Sequence, residues 1–190
     1  MIINAKRIMQ DLTFEKAEWD QPLAEDKVQR WIDWIDGLAD MKSYKIPRCI
    51  TNQHTDIKHA ELHHFSDASQ MAYGAASYLR LIDSSGSITS ILLMSKAHLA
   101  PLKVMTIPRL ELQAASVSVK LDEALRRELT MDLGISTFWT DSQIVLQYIK
   151  SNSKRFHTFV ANRVAAIRRV SEPDAMSAQR STRQTFCQGG

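Results

Sequence analysis

The sequence predicts an α/β domain with a mixed sheet, preceded by a helical segment. Three observations predict this class. Apolar residues recur at helical spacing before residue 46, and three closely spaced β-like runs follow. A long helix, one short strand and further helices then complete the order. Short links between the first three strands favour an antiparallel meander, and the fourth strand is expected to be parallel to its neighbour.

The composition indicates a folded chain that is neither secreted nor inserted in a membrane. Hydrophobic residues make up 44% of the sequence, which is enough to build a core. No apolar run approaches the roughly 18 residues that a membrane span needs. The N-terminus lacks the basic and apolar regions of a secretory signal. We therefore expect an intracellular protein of the cytoplasm or nucleus, with no membrane partner.

The charge distribution allows two interpretations of the basic C-terminal part. The net charge is +3, and from Lys150 onward eight basic residues stand against two acidic ones. Such a region suits a phosphate backbone, but a solvated basic helix face would look the same.

The two cysteines, Cys49 and Cys187, are too few and too far apart for a disulfide framework or a zinc site. Free thiols are expected.

The first 45 residues are predicted to form two amphipathic helices. The first apolar stripe consists of Ala5, Ile8, Met9 and Leu12. The second consists of Val28, Trp31, Ile32, Ile35 and Leu38. Pro22 separates the two, and Pro47 marks a boundary with the polar loop over 51–58.

The remaining elements follow from changes in periodicity. Strands are predicted at Glu61–Ser66, Ala72–Leu81, Ser87–Met94 and Ile135–Thr140, and helices at Arg109–Leu129, after Ser142 and at Phe156–Val170. Turns are expected at 67–69 and 83–86, and Pro108 suits the start of the long helix. Residues 174–190 have few apolar residues and no periodicity, so we expect no regular structure there.

Three carboxylates stand at positions where they can converge. Asp67 ends the first strand, Glu111 lies in the first turn of the long helix, and Asp141 follows the fourth strand. Clustered carboxylates are tolerated when a divalent cation neutralises them, and oxygen ligands without thiolates favour Mg²⁺ or Mn²⁺. Such ions can promote phosphodiester hydrolysis. Taken singly, each residue also suits a structural role as a turn residue, a helix N-terminal acid or a helix cap.

Two segments around Asp67, 65–69 (FSDAS) and 72–75 (AYGA), resemble the opening hairpin of retroelement ribonuclease H domains. The segments that follow are 95–97 (SKA), 100–103 (APLK), 106–115 (TIPRLELQAA), 138–142 (FWTDS), 155–156 (RF) and 159–164 (FVANRV). These resemble the ribonuclease H region of BEL/Pao retrotransposon polyproteins in particular. The beginning of the chain, with Trp19, Trp31 and 46–49 (IPRC), is similar to the segment that joins reverse transcriptase to ribonuclease H in these polyproteins.

The resemblance implies a function and a set of site residues. Asp67, Glu111 and Asp141 would be catalytic metal ligands for two-metal-ion hydrolysis of the RNA strand in RNA–DNA hybrids. The nucleic-acid-binding residues that it implies are Ser69, Asn162 and Arg163. The implied partners are an RNA–DNA hybrid or other nucleic acid and the reverse transcriptase portion of the polyprotein. The family also carries a Pao retrotransposon peptidase name, but the segment 83–86 (DSSG) lacks the Asp-Ser/Thr-Gly order of aspartic peptidases and suits a hairpin turn.

The C-terminal part departs from the family pattern. The family would continue after Pro173 with a fifth strand and an Asn-Pro-Ala-Asp motif that carries the last carboxylate. Residues 175–185 can be encoded so that a neighbouring reading frame restores both, which indicates truncation or a frameshift. We therefore expect the fifth strand to be missing and activity to be impaired. The alternative is a catalytically dead remnant that binds nucleic acid or a protein.

The same reasoning predicts three parts of the chain. Residues 1–58 are expected to be the helical connection from the reverse transcriptase end. Residues 59–173 are expected to form the ribonuclease-H-like domain, and residues 174–190 an aberrant tail.

Overall fold

The computed structural model describes residues 2–46, 49–50, 56–151, 156–171 and 176–178. The chain forms two compact units, Met1–Asn52 and Gln53–Gly190. Each unit is a body of its own and is described separately.

The first unit is helical. Its two α-helices and its short 3₁₀ helix span Ile2–Phe14 (α1), Glu25–Leu38 (α2) and Ala39–Ser43. Arg30 of α2 forms an ion pair with Asp11 of α1 at 3.0 Å, which joins the polar sides of the two helices. Ile8 is buried, and the rings of Trp31 and Trp34 pack at 4.7 Å. The two predicted helices are confirmed.

The second unit is built on a five-stranded sheet. The strands are Ile57–Ala68 (β1), Ala72–Asp83 (β2), Ile88–Leu99 (β3), Thr137–Thr140 (β4) and Met176–Ala178 (β5). Their order across the sheet is β3-β2-β1-β4-β5. The pairs β1/β2 and β2/β3 are antiparallel, whereas β1/β4 and β4/β5 are parallel. The predicted α/β class with a mixed sheet is therefore confirmed.

Three helices build the core of this unit. They span Ile107–Glu128 (α3), Gln143–Lys150 (α4) and Thr158–Val170 (α5). Pro108 lies in the first turn of α3, where its missing N–H costs no hydrogen bond. The buried cluster draws apolar residues from all three helices and from the sheet, including Leu112, Phe138, Ile149 and Ile167. This packing anchors the beginnings of α3 and α4 beside the sheet.

The predicted absence of the fifth strand is wrong. Met176–Ala178 pairs in parallel with β4, and Met176 is only 3% exposed within the core cluster. The strand forms because β4 offers a free row of backbone donors and acceptors and the core accepts the Met176 side chain. The prediction that 174–190 lacks regular structure is thus corrected for these three residues. Its other residues lie outside the described ranges.

The hairpin turns have local causes. Between β2 and β3, Asp83 Oδ1 accepts hydrogen bonds from the backbone N–H groups of Ser85 and Ser87, and Gly86 adopts φ +82°. This confirms the turn expected at 83–86. The first strand continues through Ala68, so Asp67 belongs to β1 and the turn begins at Ser69.

Among the described residues, no helix is long and apolar enough to cross a membrane.

Candidate active site

The parallel pairing of β1 with β4 brings two of the predicted carboxylates to one edge of the sheet. Ser66 of β1 is paired with Thr140 of β4. Asp67 directly follows Ser66, and Asp141 directly follows Thr140. Neighbouring strands lie about 4.8 Å apart, so the two aspartates leave the sheet side by side. Both are exposed. The edge is the carboxyl end of the parallel strands, where α/β sheets commonly place their ligands.

Glu111 is linked to this edge through a serine that the sequence did not single out as a site residue. Glu111 is half-buried and lies in the second turn of α3, not in its first turn as predicted, because the helix already begins at Ile107. The Ser142 hydroxyl donates a hydrogen bond to Glu111 Oε2. Ser142 Oγ also accepts from Val145 N at 3.3 Å and so caps α4. Because Ser142 directly follows Asp141, this bond links Glu111 to the segment that follows β4.

The donors suit a hard divalent cation, although the side chains are engaged with the protein. Asp67 Oδ1 accepts a hydrogen bond from Ala68 N at 2.7 Å, and Glu111 accepts from Ser142. Within the described ranges, no three His, Cys, Asp or Glu side chains are grouped closely enough to hold a metal ion. The carboxylate oxygens fit Mg²⁺ or Mn²⁺ by their chemistry and by their common edge.

The three residues predicted to bind nucleic acid have different environments. The hydroxyl of Ser69 accepts from Ala72 N at 3.2 Å, which makes Ser69 part of the β1–β2 turn. Asn162 is exposed on α5. Arg163 is half-buried, with its guanidinium 3.5 Å from the centre of the Phe159 ring. Only Asn162 and Arg163 therefore lie on one element.

Arg163 is held in place by several contacts. Its Nε donates to Gln113 Oε1 at 2.8 Å, and its Nη1 donates to the Phe159 carbonyl at 3.1 Å. Burial lowers the pKa of Arg163 from its usual value, and the nearby Tyr73 raises it in part. Arginine stays charged at neutral pH despite such a shift. A positive charge is thus fixed between α5 and α3.

A buried polar network that was not predicted from the sequence is centred on another carboxylate, Asp122. His64 Nε2 lies 3.0 Å from Asp122 Oδ1, and His64 Nδ1 lies 2.8 Å from Ser77 Oγ. Ser136 and Arg126 also bond to Asp122. Burial raises the pKa of Asp122, but hydrogen bonds from His64 and Ser136 and the charge of Arg126 outweigh it and hold that pKa below its usual value. The network ties α3 to β1 and β2.

Several solved structures resemble this fold at low sequence identity. Ribonuclease H1 from Halobacterium salinarum NRC-1 matches with a TM-score of 0.37 and 12% identity, covering 62% of this chain and 80% of that one. LC11-RNase H1 in complex with an RNA/DNA hybrid matches with a TM-score of 0.38 and 10% identity, covering 63% and 83%. A foamy viral protease-reverse transcriptase in complex with double-stranded DNA gives a TM-score of 0.45 and 13% identity, covering 95% and 29%.

A family model gives the stronger relationship. A search of curated proteins finds no match. The model described as the Pao retrotransposon-like RNaseH-like domain matches residues 1–142, which include Asp67, Glu111 and Asp141. This match covers most of the chain, and the resemblance noted in the sequence is thereby confirmed. The chain belongs to the family of Pao retrotransposon-like RNaseH-like domains.

Proposed function

We propose that this chain is a ribonuclease H-type nuclease domain of a retrotransposon, which hydrolyses the RNA strand of RNA–DNA hybrids with Mg²⁺ or Mn²⁺. The observation that carries the proposal is the register of β1 and β4, which sets Asp67 and Asp141 side by side next to Glu111. Family membership supports the substrate class, since the family is described as RNaseH-like. Ribonuclease H1 enzymes with this fold include one solved with an RNA/DNA hybrid.

In this proposal each carboxylate has a defined task. Asp67, Glu111 and Asp141 would hold the metal ions through their side-chain oxygens. When bound, a divalent ion offsets the repulsion among the carboxylates and stabilises the charge that develops on the phosphodiester. Ser142 orients Glu111 through its hydrogen bond, and the Ala68 N–H orients Asp67. Strand ends on a packed sheet give these side chains a rigid base.

The proposal extends to partners and location. Asn162 and Arg163 on α5, together with Ser69 at the β1–β2 turn, would contact the nucleic acid. The helical segment within residues 1–58 would be the connection to the reverse transcriptase portion of the parent polyprotein, and the sheet with its helices, which extends past residue 173 to β5, the nuclease domain. We also propose that the protein acts in the cytoplasm or nucleus, where it would meet an RNA–DNA hybrid formed inside the cell.

A second candidate function is nucleic-acid binding without cleavage. Two observations favour it. Residues 175–190 contain no acidic residue, whereas the family pattern that the sequence resembles places its last carboxylate soon after the fifth strand. In addition, the described carboxylates are not grouped as a metal site. A weakened metal position would leave the fold and its basic residues able to bind a hybrid.

Cleavage of a labelled RNA–DNA hybrid in Mg²⁺, and then in Mn²⁺, tests the proposal. We expect the chain to cut the RNA strand and Asp67→Asn to reduce the rate by at least about 100-fold, because a charged ligand is lost while the volume is kept. Asp132→Asn is the matched control, since Asp132 is exposed and precedes β4 at its other end.

The outcomes separate the two candidates. Equal cleavage by the chain and Asp67→Asn would refute the proposed site. A folded chain that binds the hybrid but cuts it in neither metal would be the binding protein of the second candidate. Thermal unfolding of each variant checks that the fold is intact.

A further inference from the structure

The first two turns of α3 present functional side chains in two directions. Glu111 faces the end of β4, as its bond from Ser142 shows. Arg109 and Gln113, one turn apart, both contact α5: Gln113 bonds to Arg163, and Arg109 lies over the Phe159 ring. Arg109 is about 3 Å from Glu111 along the helix axis and about 200° around it. A second group of charged side chains therefore stands across α3 from the carboxylates.

Two guanidinium groups share one aromatic ring in this group. The Arg163 guanidinium lies 3.5 Å from the centre of the Phe159 ring, and that of Arg109 lies 5.6 Å from it. Both are within the range of cation–π attraction. We call Arg109 and Arg163 the arginine pair. Two like charges on one ring repel each other, so this arrangement gains stability from an anion placed between or beside them.

The arginine pair lacks an acidic partner in the part of the chain that the structure describes. Neither arginine takes part in any of its ion pairs. Other arginines of the same two helices differ: Arg126 pairs with Asp122, and Arg169 pairs with Glu123 at 3.3 Å. Arg163 is also held from two sides by Gln113 and the Phe159 carbonyl. Its charge is thus positioned before any ligand arrives.

We propose that the arginine pair, with Phe159 as its support, binds a phosphodiester of the nucleic acid backbone at a position other than the cleaved one. Guanidinium groups match phosphate oxygens in geometry and charge, and pre-positioning reduces the entropy lost on binding. The inference rests on the proposed function in taking nucleic acid as the ligand. It adds Arg109 and Phe159 to the substrate surface. A backbone contact carries no sequence information, so the pair holds hybrid and duplex DNA alike.

Binding of labelled RNA–DNA hybrid and of duplex DNA to the full chain, without divalent metal and over a series of salt concentrations, tests this inference. The test variants are Arg109→Gln and Arg163→Gln. The chain supplies matched controls in Arg127→Gln and Arg169→Gln, which remove the same charge from exposed positions near the far ends of α3 and α5. Arg109 is exposed, so its replacement by Gln should leave the buried core and the fold intact.

We expect Arg109→Gln to raise Kd about tenfold and to lower the slope of log K against log salt by about 1, as for the loss of one phosphate contact. The controls should change Kd much less. Equal weakening by test and control variants would overturn the inference, as would a folded chain that binds neither ligand.

The cleavage assay separates this inference from the proposed function. A chain that cleaves hybrid but binds it equally well after Arg109→Gln retains the function and loses the inference. A chain that binds through the arginine pair but cleaves in neither metal retains the inference and loses the function.

Discussion

Asp122 is the buried charge through which α3 is fixed to the sheet. It is 2% exposed and receives hydrogen bonds from three side chains, His64, Ser136 and Arg126. Removing one member of a buried charged network leaves the others unsatisfied, which costs more than the network itself contributes. We therefore expect the stability of the second unit to depend strongly on this residue.

Asp122→Asn should destabilise the second unit by about 3 kcal/mol at neutral pH, since it removes the buried negative charge that faces Arg126 and replaces Oδ2, which accepts from Arg126 Nε, with an amide nitrogen that cannot accept. The folded pKa of Asp122 is below its unfolded value of 3.8. The stability that the charge contributes is therefore fully present above that pH and is lost as the pH falls towards the folded pKa. Denaturant unfolding at pH 7 and pH 3 measures both effects.

The variant Asp132→Asn is the control for this prediction. Asp132 is exposed, so its replacement should change the free energy of unfolding by less than about 0.5 kcal/mol. A gap between the chain and Asp122→Asn that stays the same at pH 3 would contradict the assigned pKa shift.

At the residue level, the sequence indicated that Asp67 and Asp141 end neighbouring strands, but it did not indicate which side chains contact the predicted site residues. Asp67 and Asp141 could be found because each stands where a β-like run ends. Ser142 and Arg109 could not be assigned roles, because their partners are Glu111 and Phe159, which are far away in the sequence. Contacts of that kind depend on how helices pack, and a single sequence does not reveal such packing.

The short strand β5 shows where prediction of elements fails. Residues 176–178 are too few for an alternating pattern to be recognised against a polar background. The strand is instead specified by tertiary structure, through pairing with β4 and burial of Met176. The longer elements α3 and β2 were predicted because their periodicity extends over many residues. The observed ends of these elements differ from the predicted ends by a few residues. The strand β1 also differs, because pairing with β2 extends it back to Ile57.

Met176→Ala should destabilise the second unit by about 2–3 kcal/mol, because it removes a side chain that fills the core cluster. The matched control is Met94→Ala on β3, where the side chain is 42% exposed and the expected loss is under about 1 kcal/mol. Denaturant unfolding of both variants measures the difference. Equal losses would show that β5 does not contribute to the core.

At the scale of the whole molecule, the fold class and the family followed from the sequence, and the structure supplies the geometry of the site. The described part of the second unit places Asp67 and Asp141 at one sheet edge, links Glu111 to it through Ser142, and sets the arginine pair across α3 from Glu111. In the proposed function, the nucleic acid would contact the arginine pair on one side of the α3 N-terminus, and the carboxylates on the other side would hold the cation. Whether that cation binds decides between a nuclease and a binding protein.

A Mn²⁺ titration of the full chain, followed by electron paramagnetic resonance, tests the proposed metal site most directly. We expect saturable binding that weakens at least about tenfold in Asp67→Asn and Asp141→Asn, because each removes a charged ligand, but is unchanged in Asp132→Asn. A folded chain that binds no Mn²⁺, or that binds it equally well after either ligand is replaced, would contradict the claim that these carboxylates form one metal site.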